Sequence, residues 1–427
     1  MRIVMMTNTY LPHVGGVARS VTAFTENYRA RGHRVLVVAP IFENAPRDEV
    51  DVVRIPALQR FNGSDFSVVL PVPGDLHARI REFAPDVIHS HHPFLLGTTA
   101  VRLARLSGVP LVFTHHTMYE QYTHYVPGDS PALKRFVIRL ATGYANLCDL
   151  VLAPSESIAE VIASRGVKAP IEVVPTGVDT ERFRAGDGAG FRARLGIPEG
   201  AFVVGHLGRL APEKNLDFLA RSVADFLAGP GGEGARFLLV GVGPSEGGVR
   251  EAFRRRGLEG RLHLAGLLRG RELVDAYHAM DLFAFASQSE TQGMVLTEAM
   301  AAGVPVVALD APGVREVVRD GANGRLLADG DEAAFAAALG AVAGQTPEQR
   351  EALRRGARTT AEAFSMKRSA DKALRLYERL LGRRREVPDA DYDAWDATLR
   401  LIRTEWEMLK DLADAAGAAL KGGGGAP

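Results

Sequence analysis

The feature that most constrains this chain is a rhythm. Short runs rich in β-branched residues, each bounded by Gly, Pro or polar residues, recur through the first 175 positions at Ile3–Met6, Val35–Ala39, Val52–Ile55, Val87–His89, Leu111–Phe113, Leu150–Ala153 and Ile171–Val174. Runs of this length and composition read as strands. Between several of them lie amphipathic stretches, Gly16–Arg31, Leu96–Leu106, Pro131–Asn146 and Ser155–Ser164, with helical spacing of their apolar residues. A helix between two strands returns the chain to the same end of the sheet, so the alternation predicts parallel strands in a doubly wound, Rossmann-like domain. The rhythm restarts after Val178-Asp179, at Phe202–His206, Phe237–Val240, Leu262–Ala265, Leu282–Phe285 and Val304–Ala308. A second Rossmann-like domain is expected there, and the Pro175-Thr176-Gly177 break marks the linker. The expected division is 1–175, 176–366, a helix over 367–385 returning to the first domain, and an extension over 386–427.

Open parallel sheets bind ligands outside the carboxyl ends of their strands, so two such sheets facing each other would make a cleft with a donor side and an acceptor side. The residues expected at those ends carry the chemistry. Glu290 and Glu298 share a Glu-x7-Glu spacing with Glu251 and Glu259, so spacing alone selects nothing. Context does: Glu290 follows the strand Leu282–Phe285, Gly293 stands where a helix should begin, and Glu298 falls inside that helix. Backbone N–H groups at a helix start, here Gly293, Met294 and Val295, suit a diphosphate, while ionised carboxylates accept hydrogen bonds from sugar hydroxyls. Arg209 and Lys214 follow the strand Phe202–His206, and two cations there could neutralise a departing diphosphate. Gly15-Gly16-Val17 follows the first strand and opens a helix, and Gly16 lets backbone approach phosphate closely, although a double Gly also serves as an ordinary turn.

Composition removes other classes. A chain of 427 residues with 51 basic and 51 acidic side chains has no basic excess, which argues against recognition of nucleic acid through its phosphates. Cys148 is the only cysteine, so no internal disulfide or Cys-rich metal knuckle forms, and a cytoplasmic location is expected. No run approaches the roughly 20 apolar residues that span a bilayer, so membrane contact is expected to be peripheral. Nine of the twelve histidines precede residue 125, among them His89, His91, His92, His115, His116 and His124. Without Cys or carboxylate at a zinc-like spacing they are expected to be strand-end groups pointing into the cleft, with no metal bound. The segment Pro131–Leu140 carries Lys134, Arg135 and Arg139 beside apolar residues and follows Tyr119, Tyr122 and Tyr125; it reads either as an interfacial surface or as an ordinary helix with a basic edge. Trp395, Leu399, Ile402, Trp406 and Leu409 repeat at 4-3-4-3 spacing, the seam of a helix that could fold back, pair in a homodimer or anchor at an interface. The Asp-x-Asp runs beside it read as solvated surface.

Taken together these pieces resemble the retaining glycosyltransferases of family 4, which have the GT-B fold of two facing Rossmann-like domains. The resemblance covers residues 1 to 384 and follows the family's order: Gly15-Gly16-Val17, Thr114-His115-His116-Thr117, Val178-Asp179, Gly208-Arg209 with Lys214, and Glu290 through Glu298. It implies that Arg209 and Lys214 bind the diphosphate, that Glu290 holds the transferred sugar with Thr291 and Gln292 beside it, and that Gly293, Met294 and Val295 meet the phosphate. Glu298 would take the ribose hydroxyls, and His116 would sit beside the reacting sugar. Where the family usually has Pro-Phe-Gly after the first Glu, this chain has Thr291-Gln292-Gly293. That departure, with Thr114–Glu120 and Tyr122–Tyr125, is similar to the bacterial diacylglycerol glucosyltransferases. The subgroup implies UDP-glucose as co-substrate, no required cofactor, a diacylglycerol acceptor, and attachment to the inner face of the cell membrane. A guanosine-linked mannose donor, another acceptor, and a protein that binds sugar nucleotides without catalysis stay open as alternatives.

Overall fold

A computed structural model describes residues 1–382 apart from 14, 43, 47, 48, 59–67, 70–74, 122, 124–129, 288, 289 and 329. The expected extension over 386–427, with its 4-3-4-3 seam and homodimer reading, lies outside the described residues, as do Tyr122, His124 and Tyr125. The chain divides into two compact units, one from Met1 to Thr176 joined by Ser369 onward, the other Gly177–Arg368.

The first unit holds a parallel sheet of β1 (Arg2–Met6), β2 (Arg34–Pro40), β3 (Val52–Ile55), β6 (Val87–Ser90), β7 (Leu111–Thr114), β8 (Leu150–Ala153) and β9 (Ile171–Val173), in the order β3-β2-β1-β6-β7-β8-β9. Two short strands, β4 (Ala57–Leu58) and β5 (Val68–Val69), pair antiparallel beside it. The central strands β6, β7 and β8, and β1 after its first residue, are buried along their length, as expected where helices cover both faces of a parallel sheet. Helices Gly16–Ala30, Leu96–Ser107, Pro131–Asn146 and Glu156–Ser164 make the crossovers. Ser130 and Ser155 cap two of them by accepting the backbone N–H three residues on, at 3.2 and 3.3 Å.

The second unit repeats the order with β10 (Val203–Leu207), β11 (Arg236–Val240), β12 (Leu262–Gly266), β13 (Leu282–Phe285), β14 (Val306–Leu309) and β15 (Gly324–Leu327), arranged β12-β11-β10-β13-β14-β15. Along β13 alternate residues enter different cores: Phe283 and Phe285 pack into one, Leu282 and Ala284 into the other. The strand expected at Val304–Ala308 begins two residues later. Val304 still donates its N–H to the Ala299 carbonyl of the preceding helix, at 2.9 Å, and Pro305 has no N–H to give a ladder. β15 carries a charged residue and a glycine in four positions, which is why periodicity did not single it out. These two Rossmann-like units, with helices Glu332–Ala343, Pro347–Ala363 and Met366–Leu381 at the end, constitute the GT-B fold. No helix among the described residues is long and apolar enough to cross a membrane.

Candidate functional site

Both sheets change direction once, between β1 and β6 in the first unit and between β10 and β13 in the second, and crevices open at such switch points. The second unit fills its crevice with ions. After β10 the chain makes a short turn, Pro212–Lys214, and enters helix Leu216–Ala228 through Asn215 in the left-handed region at φ 54°. The turn is stitched to the end of β13: Asn215 Nδ2 donates to the Ala286 carbonyl at 3.3 Å, and Ser287 Oγ donates to the Glu213 carbonyl at 3.2 Å. This places Lys214 against Glu290, and the Lys214 Nζ donates to Glu290 Oε1. Side-chain exposures of 19% and 17% hold that pair at the mouth of the crevice, partly shielded from water. Arg209 is more exposed and donates to Glu213, whose carboxylate is nearly buried. The i, i+4 spacing of Arg209 and Glu213 is visible in sequence, yet Glu213 was not among the expected site residues.

The loop after Glu290 is fixed by two glycines. Gly293 adopts φ 71° as the N-cap of helix Met294–Ala301, a conformation that a β-carbon disfavours. Gly313, at φ 77°, lies so close that an added Cβ would stand 2.7 Å from the backbone of Thr291 and Gln292. Gln292 is buried, Thr291, Met294 and Val295 are half-buried, and the helix start has no side-chain cap or acidic residue in its first turn. One turn further on, Glu298 is buried and accepts at Oε2 from the Tyr277 hydroxyl at 2.8 Å. Tyr277, fully buried in helix Gly270–His278, comes from a different stretch, and no local signal announces the contact.

His206, on β10, was also missed. Its ring stacks against Phe283 and Phe285, and its Nδ1 is 3.0 Å from the Ala284 carbonyl, so Nδ1 carries the proton. Burial, then the nearby Lys214 charge, lower its pKa to about 4 and keep it neutral. Beyond β11 and β12, the apolar Val242 and Leu267 expose about half their surface.

The first unit's strand ends carry imidazoles instead. His89 is buried and held at both nitrogens, by Tyr377 at 2.6 Å on Nδ1 and Thr114 at 2.7 Å on Nε2. His91 lies 4.2 Å from His89, ring to ring, and its Nδ1 meets His116 Nε2 at 2.9 Å. His92 accepts the Asn8 N–H at Nδ1, at 3.1 Å, which leaves its proton on Nε2. Burial drives all five imidazoles toward neutrality: His89 and His92 to about 3, His115 to about 4, and His91 and His116 well below the ordinary value. His89, His91 and His115 thus lie inside the unit, facing partners within it, rather than lining an open surface; His92 and His116 stay half-buried. Among the described residues, no group of three or more His, Cys, Asp or Glu could hold a metal ion.

Gly16 opens helix Gly16–Ala30, and an added Cβ there would meet nothing within 4 Å, so among the described residues no packing demands glycine. The Tyr119 hydroxyl is buried and its ring packs edge-on to Phe94 at 5.1 Å, so it does not present itself as a surface aromatic. Lys134 and Arg139 are exposed and Arg135 half-buried on helix Pro131–Asn146, whose first ten residues include no fully buried side chain.

Residues 14–182 match the family described as Glycosyltransferase Family 4, and residues 201–345 match Glycosyl transferases group 1. The chain is 31% identical over 394 residues to a GDP-mannose-dependent alpha-mannosyltransferase of Mycobacterium tuberculosis, covering 90% of this chain and 98% of that protein. It is 28% identical over 342 residues to an alpha-monoglucosyldiacylglycerol synthase of Streptococcus pneumoniae, covering 76% of this chain and 75% of that one. The Anabaena protein HepE, solved in complex with UDP, superposes with a TM-score of 0.71 at 22% identity, over 89% of this chain and 100% of its own, a likeness of fold. The two relatives differ in the sugar their names give, so the likeness does not single out the diacylglycerol subgroup.

Proposed function

Because the chain belongs to glycosyltransferase family 4, we propose that it moves a hexose from a nucleotide sugar, UDP-glucose, to a hydroxyl of a lipid, diacylglycerol, at a membrane surface, with retention at the anomeric carbon. The observation that carries the transferase reading is the Lys214–Glu290 pair at the β10/β13 switch point beside the uncapped helix start at Gly293. A diphosphate entering there would draw Lys214 and Arg209 from their carboxylates and meet the N–H groups of Gly293, Met294 and Val295. Thr291 and Gln292 line the same loop. Glu290, released from Lys214, would accept from the hexose hydroxyls, and Glu298, oriented by Tyr277, from the ribose. A base would lie against Val242 and Leu267. In this reading residues 176–366 take the donor and residues 1–175 the acceptor, with Gly16 leaving room for the donor's phosphates.

The reaction then needs little covalent help. The acceptor oxygen attacks C1 from the face the diphosphate leaves; the C1–O bond to phosphate breaks, the new C1–O bond forms, and the acceptor proton passes to a diphosphate oxygen. Arg209 and Lys214 stabilise the departing charge, and such fixed cations help most where charge develops. Neutral His116 would accept or donate to sugar hydroxyls without competing for the phosphate. With the charge met by side chains and backbone, turnover should survive a chelator.

The lipid acceptor is supported by helix Pro131–Asn146, where half-buried Leu133, Phe136, Val137 and Leu140 lie among Lys134, Arg135 and Arg139, a pattern suited to an interface. It is supported also by the name of the streptococcal relative. Peripheral attachment to the inner face of the cell membrane follows from that reading. A second reading, GDP-mannose as donor, rests on the mycobacterial relative, which matches over nearly its whole length. Purified protein incubated with UDP-glucose or GDP-mannose, with and without diacylglycerol vesicles, tests both. Nucleotide release that needs vesicles, and a glucosylated lipid product, are expected; release from GDP-mannose alone would replace the donor, and no acceptor-dependent release would sink the enzyme reading.

A further inference from the structure

The first unit contains a buried polar chain that the transfer reaction above does not use. Tyr377, fully buried, lies on helix Met366–Leu381 but far along the sequence from the sheet it touches. Its hydroxyl lies 3.3 Å from that of Tyr28 and 2.6 Å from His89 Nδ1, and its ring meets the imidazole edge-on at 5.8 Å. With Thr114 on its other nitrogen, His89 is pinned at both ends and cannot rotate.

From His89 two routes lead to His116. In one, the His91 ring lies against His89 and its Nδ1 holds His116 Nε2 at 2.9 Å. In the other, Thr114, fixed through Oγ1 by His89, accepts the backbone N–H of His116 at its carbonyl, at 3.1 Å. The side chain and the backbone of His116 are therefore both referred to one anchored ring. Rings locked by partners on both nitrogens hold a fixed tautomer and orientation, which is how supporting residues tune the groups that touch substrate.

We propose that Tyr377 is a positioning residue that, through His89, His91 and Thr114, sets the orientation in which His116 meets the substrate. The inference rests on the reading of His116 as a group beside the reacting sugar. It assigns to the C-terminal helix a part in the chemistry of the first unit, which nothing in its own sequence announces.

Tyr377→Phe removes one oxygen and keeps the ring. Turnover per donor-binding site should fall about 10-fold, the worth of roughly one misplaced hydrogen bond, while the donor KM stays within about twofold. Tyr28→Phe removes a hydroxyl from the same cluster without touching His89 and should leave turnover within about twofold. In a His116→Ala background, Tyr377→Phe should have no further effect, because residues acting in series are not additive. Counting sites by donor binding, and checking by hydrogen exchange that Val87–Ser90 stays protected, separates lost positioning from lost fold. If Tyr377→Phe does not fold, Thr114→Val cuts the other anchor of His89 and should reproduce the fall. A Tyr377→Phe enzyme with wild-type turnover, or one that still loses turnover when His116 is absent, overturns the proposal. Wild-type turnover by His116→Ala alone would instead overturn the role of His116 on which it rests.

Discussion

The two units share one strand order and place opposite chemistry at its switch point. In the first, the ends of β6 and β7 carry imidazoles that burial keeps neutral. In the second, the ends of β10 and β13 carry Lys214, Glu290, Arg209 and Glu213, joined as ion pairs. The topology accounts for where a ligand can bind, since both sheets open a crevice where the order reverses. In the proposed function the side chains decide which part of a substrate each unit would take. Ion pairs at the rim can be exchanged for an incoming diphosphate, whereas neutral His116, in the proposed function, would meet groups that hydrogen-bond without charge. The same backbone solution would, in that function, serve an anionic and an uncharged partner.

The sharpest way to test that contrast is acid. A histidine whose folded pKa lies below its unfolded value stabilises the fold above about pH 6.5, and the stability drains as pH falls from there through the folded pKa, because the unfolded chain takes up more protons. For His89 and His92 the window runs down to about 3 and for His115 to about 4, with His91 and His116 also well lowered. Near pH 5 His89, His92 and His115 would each cost about 2 kcal/mol, and His91 and His116 act in the same direction. Peptide-level hydrogen exchange should show Val87–Ser90 and Leu111–Thr114 losing protection on acidification before Val203–Leu207, which carries the single imidazole His206. Simultaneous loss in both units would break the comparison.

Lys214→Ala removes the cation that faces the proposed diphosphate. Turnover should fall by roughly 100- to 1,000-fold with little change in thermal stability, the scale for losing one charge-stabilising group at a transition state. Near-normal turnover from a folded variant would remove the second unit's claim to the donor. A smaller effect is expected of Gly313→Ala, whose Cβ would collide with Thr291 and Gln292 from a backbone at φ 77°. It should raise the donor KM about 10-fold and cost about 1 to 3 kcal/mol of stability in denaturant unfolding. Tyr277→Phe should act least, raising the donor KM about three- to fivefold with kcat unchanged, the mark of a carboxylate that binds ribose but takes no part in bond making. A fall in kcat instead would move Glu298 toward the reacting centre.

Much of the fold was legible because its signal is local. A four-residue β-branched run and an amphipathic stretch each declare themselves within a few residues, so β1, β6, β8 and β13 fall at or within a residue or two of where the pattern puts them. β15 escaped for the opposite reason: Gly324-Arg325-Leu326-Leu327 has no run long enough to stand out, and it is a strand because Val306–Leu309 offers it a ladder. Site residues divide the same way. Arg209, Lys214, Glu290 and Gly293 could be picked out because each follows a recognisable strand or opens a recognisable helix. Tyr277, His206 and Tyr377 look like core residues in sequence, and all three are fully buried; what distinguishes them is a partner 21, 78 or 288 positions away.

By itself, then, the sequence determined the alternation of strand and helix, its repetition, and the residue types standing after each strand, because those depend on periodicity and on neighbours along the chain. Tertiary structure alone decided that Lys214 meets Glu290, that Tyr277 holds Glu298, and that the histidines turn inward upon one another under Tyr377. Those are contacts between segments far apart in the chain. Their partners are selected by burial, where an unpaired polar group is costly, and burial exists only once the sheets have formed.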